Sequence, residues 1–115
     1  MSASSTNFTE VDVTVGAATS TANAATINAQ TGQITTEALT TAAAATYTMT
    51  LTNSLIRATS QVHVSVGKGT ATTGFPTVTW VTPAAGSAVI ILQNIASAAA
   101  LNGTVTINYT VYNMA

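Results

Sequence analysis

The sequence predicts an all-β domain, a β-sandwich of jelly-roll or immunoglobulin-like type with about 6–8 antiparallel strands. Three observations carry this. Apolar and polar residues alternate with a period of two over much of the chain, which is the signature of a strand with one face in a core. Glycine, proline and asparagine clusters punctuate the alternating runs where the chain has to reverse. The 115 residues suit one domain with one core. Residues 1–25 are expected to form an N-terminal arm or strand with a linker.

The elements follow in chain order. Val11, Val13 and Val15 face one way while Glu10, Asp12 and Thr14 face the other, so this segment reads as a strand. Phe8, Val11, Val13 and Val15 are the candidate residues for a strand shared between subunits, because a separable terminal strand can pair with a neighbour's sheet. Residues 16–25 are small and polar without periodicity, which reads as a loop or flexible connection. Thr31-Gly32 is expected to close a short hairpin between Ile27 and Ile34. The alanine run at 42–45 has helix propensity but is only a turn long and leads into a strand. In that strand Tyr47, Met49 and Leu51 alternate with Thr46, Thr48, Thr50 and Thr52.

Val62, Val64 and Val66 alternate with Gln61, His63 and Ser65, and Gly67-Lys68-Gly69 reads as a hairpin turn. Residues 75–82 are expected to form a strand with Val78 and Trp80 on one face. Pro76 marks it as an edge, because proline cannot donate a ladder hydrogen bond. Pro83-Ala84-Ala85-Gly86 is the next turn. Val89, Ile90, Ile91 and Leu92 are apolar on both faces, as in a central strand covered on each side, and are expected to lie deepest. Asn102-Gly103 turns the chain into a last strand, in which Val105, Ile107, Tyr109 and Val111 alternate with Thr104, Thr106, Asn108 and Thr110. The C-terminal half is thus expected to be a strand meander.

Composition bears on function. Charged residues make up 4% of the chain, against roughly 25% in an ordinary domain, and threonine and alanine together fill about two fifths of it. The formal net charge is −1, and a solitary protein normally keeps a charged surface. Charges are depleted at the centres of interfaces, so this composition points to a subunit covered by neighbours. Disordered chains combine low hydropathy with high charge, and this chain has neither property. The longest apolar stretches, at 88–92 and 98–101, fall far short of the roughly 18 residues of a spanning helix, so no membrane partner is expected. The start carries no basic and apolar signal pattern, and Met1 favours cytoplasmic synthesis. With no cysteine there is neither disulfide nor thiolate chemistry.

The ionisable side chains are Glu10, Asp12, Glu37, Arg57, Lys68 and His63, tyrosines apart. Acid–base catalysis needs a positioned pair of such groups. Glu10 and Asp12 share a strand face and could hold a cation if His63 or carbonyls joined them, but their spacing reads first as a solvated face. His63 lies opposite the valines of its strand, exposed or in an interface. No serine sits in a nucleophile elbow, and Gly67-Lys68-Gly69-Thr70 lacks phosphate-loop spacing. Two isolated cations make no footprint for phosphates, so no nucleic-acid partner is expected. The aromatic residues Phe8, Tyr47, Phe75, Trp80, Tyr109 and Tyr112 read as core or interface before sugar platform. The sequons at Asn7, Asn102 and Asn108 arise readily in a threonine-rich chain. No catalytic residue, cofactor or metal is expected, and the chain is not expected to be an enzyme.

Two segments carry a resemblance. Trp80-Val81-Thr82-Pro83-Ala84-Ala85-Gly86-Ser87 with the apolar strand after it, and Ala100-Leu101-Asn102-Gly103-Thr104-Val105, resemble small virion structural proteins of marine tailed phages; Thr50-Leu51-Thr52-Asn53-Ser54 extends the likeness. The resemblance implies a sandwich domain that decorates or cements a capsid, bound to the outside of the major capsid protein lattice. On that reading the chain is a virion protein at the capsid surface, a homo-oligomer and in particular a trimer. Two alternatives come from other classes. One is an extracellular filament or pilus subunit in which residues 8–15 complete the next subunit by donor-strand exchange; the other is a glycan-binding fibre or tip module using Trp80 and tyrosines.

Overall fold

The computed structural model describes residues 15–113, and they form eight strands in two four-stranded sheets packed as a sandwich. The strands are β1 Val15–Thr19, β2 Ala24–Thr26, β3 Thr31–Thr35, β4 Thr46–Thr52, β5 Gln61–Lys68, β6 Pro76–Ala84, β7 Ser87–Asn94 and β8 Val105–Tyr112. Sheet I runs β1-β3-β8-β5 and sheet II runs β2-β4-β7-β6. The order β4-β7-β6 facing β8-β5 is the neighbour order that an immunoglobulin-type sandwich uses for its B, E, D and F, C strands.

Period-two patterning builds the core. Tyr47, Met49 and Leu51 of β4 and Ala88, Ile90 and Leu92 of β7 project inward from sheet II. They meet Ile34 of β3 and Val105, Ile107, Tyr109 and Val111 of β8. All are buried, Ile34, Met49, Leu51, Ile90 and Ile107 completely, and each such side chain contributes roughly 1.5–3 kcal/mol. Val62, Val64, Val66, Val78 and Val81, on strands at the sheet margins, pack against this core while staying partly exposed.

Several expectations need correction. Residues 16–25 are not a loop, since β1 occupies the first part and β2 begins in the last. Neither strand is antiparallel to its neighbour, because β1 pairs parallel with β3 and β2 parallel with β4. Their small side chains hid the alternation, but small residues let the edge strands lie close. Gly16, for instance, faces Ile27 with no room for a Cβ. Thr31-Gly32 is no hairpin turn. Both residues lie in β3, where a Cβ on Gly32 would stand 2.8 Å from the Gly16 carbonyl oxygen and from the Tyr109 ring. The glycine is there for close approach, not for a positive φ.

The meander is also wrong. From β4 onward only β6 and β7 form a hairpin, while the β4–β5, β5–β6 and β7–β8 connections each pass from one sheet to the other. Accordingly Gly67 and Lys68 belong to β5 and the chain beyond crosses the sandwich. The β6–β7 turn is confined to Ala85 and Gly86, with Gly86 at φ 82°, and Pro83 is still within β6. The alanine run is a turn, not a helix: the Ala45 amide donates to the Ala42 carbonyl, and Ala44 takes φ 66°.

Two features of sheet II decide what it displays. Strand β6 is an edge, as Pro76 suggested, but Val78 and Trp80 do not share a face. The ladder pairs Val78 with Leu92 and Trp80 with Ile91, leaving Thr79 as the extra residue of a β-bulge. A bulge shifts the alternation by one position, so Val81 turns inward while Trp80 stands outward, 66% exposed. Strand β7 is interior as expected, yet only its inner residues are buried. Val89 and Ile91 on the other face remain partly exposed.

Candidate functional site

The outer face of sheet II carries an apolar stripe. The register places Thr82 opposite Val89, Trp80 opposite Ile91 and Thr77 opposite Gln93. Beyond the ladder the Ile95 amide donates to the Phe75 carbonyl at 2.9 Å, so Phe75 and Ile95 continue the series. Phe75 is 68% and Ile95 59% exposed. The resulting surface runs Phe75 and Ile95, then the polar pair Thr77 and Gln93, then Trp80 and Ile91, then Thr82 and Val89, bordered by Thr46, Thr48, Thr50 and Thr52 on β4. Isolated exposed apolar residues are ordinary; Phe75, Ile95, Trp80 and Ile91 grouped on one sheet face mark an interaction surface.

The outer face of sheet I is different. One row across its strands reads Val15, Thr31, Thr110 and His63, and the next Ala17, Gln33, Asn108 and Ser65. Gln33 Nε2 donates to Asn108 Oδ1 at 3.1 Å, and the His63 and Tyr112 rings meet edge to face at 5.1 Å. An open depression of about 510 Å³ lies over this grid. It offers neutral amides and hydroxyls and no carboxylate. A second depression, of about 340 Å³, lies where the start of β6 meets the end of β5, among Val66, Ala71, Phe75, Pro76, Leu101 and Val105.

Of the residues singled out for a shared strand, Phe8, Val11 and Val13 lie outside the described residues, as do Glu10 and Asp12. Val15 opens β1 and is 76% exposed. His63 is exposed on β5. Among the described residues no three histidines, cysteines or carboxylates come together as a metal-ligand group.

The carboxylate that sequence reasoning passed over is Glu37. It accepts hydrogen bonds from the Ser20 hydroxyl, from the Tyr47 hydroxyl at 2.9 Å and from the Asn23 amide at 3.0 Å. Ser20 and Tyr47 are buried, and Ala22 and Asn23 both take positive φ, so the carboxylate fastens a left-handed turn between β1 and β2. Burial pushes the Glu37 carboxyl up, but the hydrogen bonds from Ser20, its own backbone, Tyr47 and Asn23 outweigh this and hold it below the ordinary glutamate value. Burial raises Tyr47 to about 12, and Glu37 adds to the rise. A depressed carboxyl stabilises the fold above its unfolded pKa and loses that contribution as pH falls through the folded value. Wild type is therefore expected to exceed Glu37→Gln in unfolding midpoint at pH 7, with the gap closing below about pH 4; thermal unfolding at pH 7 and pH 3 checks this.

No protein-family model, curated protein or solved structure matches this chain.

Proposed function

We propose that the chain is a non-catalytic structural subunit that works by packing against other proteins. The observation that carries this is the stripe of Phe75, Ile95, Trp80 and Ile91 on the outer face of sheet II. A buried tryptophan would be explained by the core. This one is turned outward by a bulge onto a face with no charged side chain between β4 and β6. Tryptophan is among the side chains that dominate binding energy at interface centres. In a chain with 4% charged residues, covering such a face removes apolar area from water and strands no ion.

The assembly we propose is the outer surface of a phage capsid, with the major capsid protein and further copies of this chain as partners. Support for that finer reading is the resemblance at residues 80–87 and 100–105 together with the scarcity of charge, 4% of residues. Electron microscopy of the native particle tests it: the reading predicts sandwich-sized density on the capsid exterior with the Trp80 face against a neighbour. Absence of the chain from purified particles would refute the capsid assignment. Exposure of Trp80 also supports a second reading, a saccharide platform in which the indole stacks on a sugar ring. Saturable glycan binding that disappears in Trp80→Ala would favour it over the first.

A further inference from the structure

We propose that β5 is an acceptor edge for strand addition, and that its occupant is residues 8–14 of a second copy of this chain. The inference rests on the assembly reading above and names one of its contacts.

Strand β5 ends sheet I on one side, and the direction of its free backbone groups follows from β8. The Val111 amide donates to the Gln30 carbonyl and the Val105 carbonyl accepts from Thr36, both on the β3 side, whereas the Thr104 carbonyl accepts from Ala71 on the β5 side. Successive residues of a strand point their backbone groups to opposite sides. Thr106, Asn108, Thr110 and Tyr112 thus bond to β5, through their register partners Gly67, Ser65, His63 and Gln61. The N–H and C=O groups of Val62, Val64 and Val66 are left pointing away from the sheet.

Edges are normally guarded by proline, charge, a bulge or shortness. Strand β6 has Pro76, Pro83 and the Thr79 bulge, and β2 has only three residues. Strand β5 has eight residues without proline and without a bulge, and its one fully charged side chain, Lys68, stands at its end. Its inward valines are only partly buried, as they must be while nothing lies beside them.

The occupant is chosen by pattern, charge and reach. Val11 and Val13 alternate with Glu10, Asp12 and Thr14, so an added strand can lay its valines over those of β5 and turn its carboxylates to the face that carries His63. Two of the chain's three carboxylate side chains are in this segment. Reach excludes the chain's own β5. The segment joins the domain at Val15, in β1, on the opposite edge of sheet I. If residues 8–13 form the added strand, Thr14 alone is left as a link of about 3.5 Å. Three strand spacings, roughly 14 Å, separate β1 from β5. A neighbour's edge carries no such restriction.

The chain has no cysteine, so paired cysteines test the contact directly. Differently tagged full-length Val11→Cys and Val13→Cys chains are mixed with Val62→Cys or Val64→Cys chains and oxidised, with Ala38→Cys, at an exposed position outside both sheets, as acceptor control. At least one of the four pairings should give intermolecular disulfide at least tenfold above the control. Yields no higher than control, with light scattering still showing assembly, would overturn strand addition and leave the assembly reading standing. No cross-link and no assembly at any concentration would remove both. An intramolecular disulfide in a dilute Val13→Cys/Val64→Cys double variant would overturn the second-copy assignment. Val64→Pro in the full chain blocks a free-edge N–H without breaking a ladder bond. It should weaken self-association at least tenfold in a chain that melts cooperatively above the assay temperature; unchanged association would overturn the proposal. Should that variant unfold, the cross-linking result decides.

Discussion

Asn94→Ala is expected to cost the domain roughly 3–5 kcal/mol, a third or more of the stability of a typical domain of this size. Asn94 is the last residue of β7 and is 1% exposed. Its Nδ2 donates to the carbonyls of Thr41, Ala42 and Ala99, and its Oδ1 accepts from the amides of Phe75 and Ala96. One amide thereby ties down the approaches to β4 and β6 and the loop that leaves β7. Truncation orphans several backbone groups at once, each costing about 1–3 kcal/mol where water cannot reach it. Urea denaturation should show a lower midpoint with an unchanged slope. A loss under about 1 kcal/mol would mean that the loops find other partners. Asn94→Asp is expected to be nearly as damaging, because a carboxylate keeps the acceptors but loses the donors and buries a charge.

Trp80→Glu should do the reverse, leaving folding within about 0.5 kcal/mol of wild type while weakening association about 100-fold. The indole is 66% exposed, so the folded monomer gains little from it. A carboxylate there would have to be desolvated against whatever covers Ile91 and Phe75. Sedimentation velocity across a concentration series reads the association, and circular dichroism melting reads the fold. Unchanged association would show that the stripe on sheet II is not the contact face.

The strands with regular alternation, β4, β5 and β8, were legible because their apolar residues repeat on one face, and β7 was legible as a short continuous apolar run bounded by turn residues. What escaped reading did so for physical reasons. Strands β1 and β2 are built from alanine, glycine and threonine, which hardly differ between faces. The partition between sheets depends on contacts distant in sequence, and turn chemistry at Gly67 or Asn102 cannot distinguish a hairpin from a crossover. The bulge at Thr79 adds one residue, leaves no local mark in a run rich in threonine and valine, and reverses the placement of Trp80. Glu37 and Asn94 looked like isolated polar residues; only the fold brings Ser20, Tyr47 and Asn23 to the first and three loops to the second. The low charge was plain from composition. Which faces it leaves apolar needed the register.

Trp80 is the sole tryptophan, so intrinsic fluorescence reports on the stripe with no competing indole. An outward-facing indole in a free subunit emits like one in water and is quenched readily by acrylamide. If neighbours cover the outer face of sheet II, raising the protein concentration should move the emission to shorter wavelength and protect it from quenching, in step with growth in scattering mass. A water-like, freely quenched emission that persists at every concentration, from a particle that stays the mass of one chain, would contradict the account.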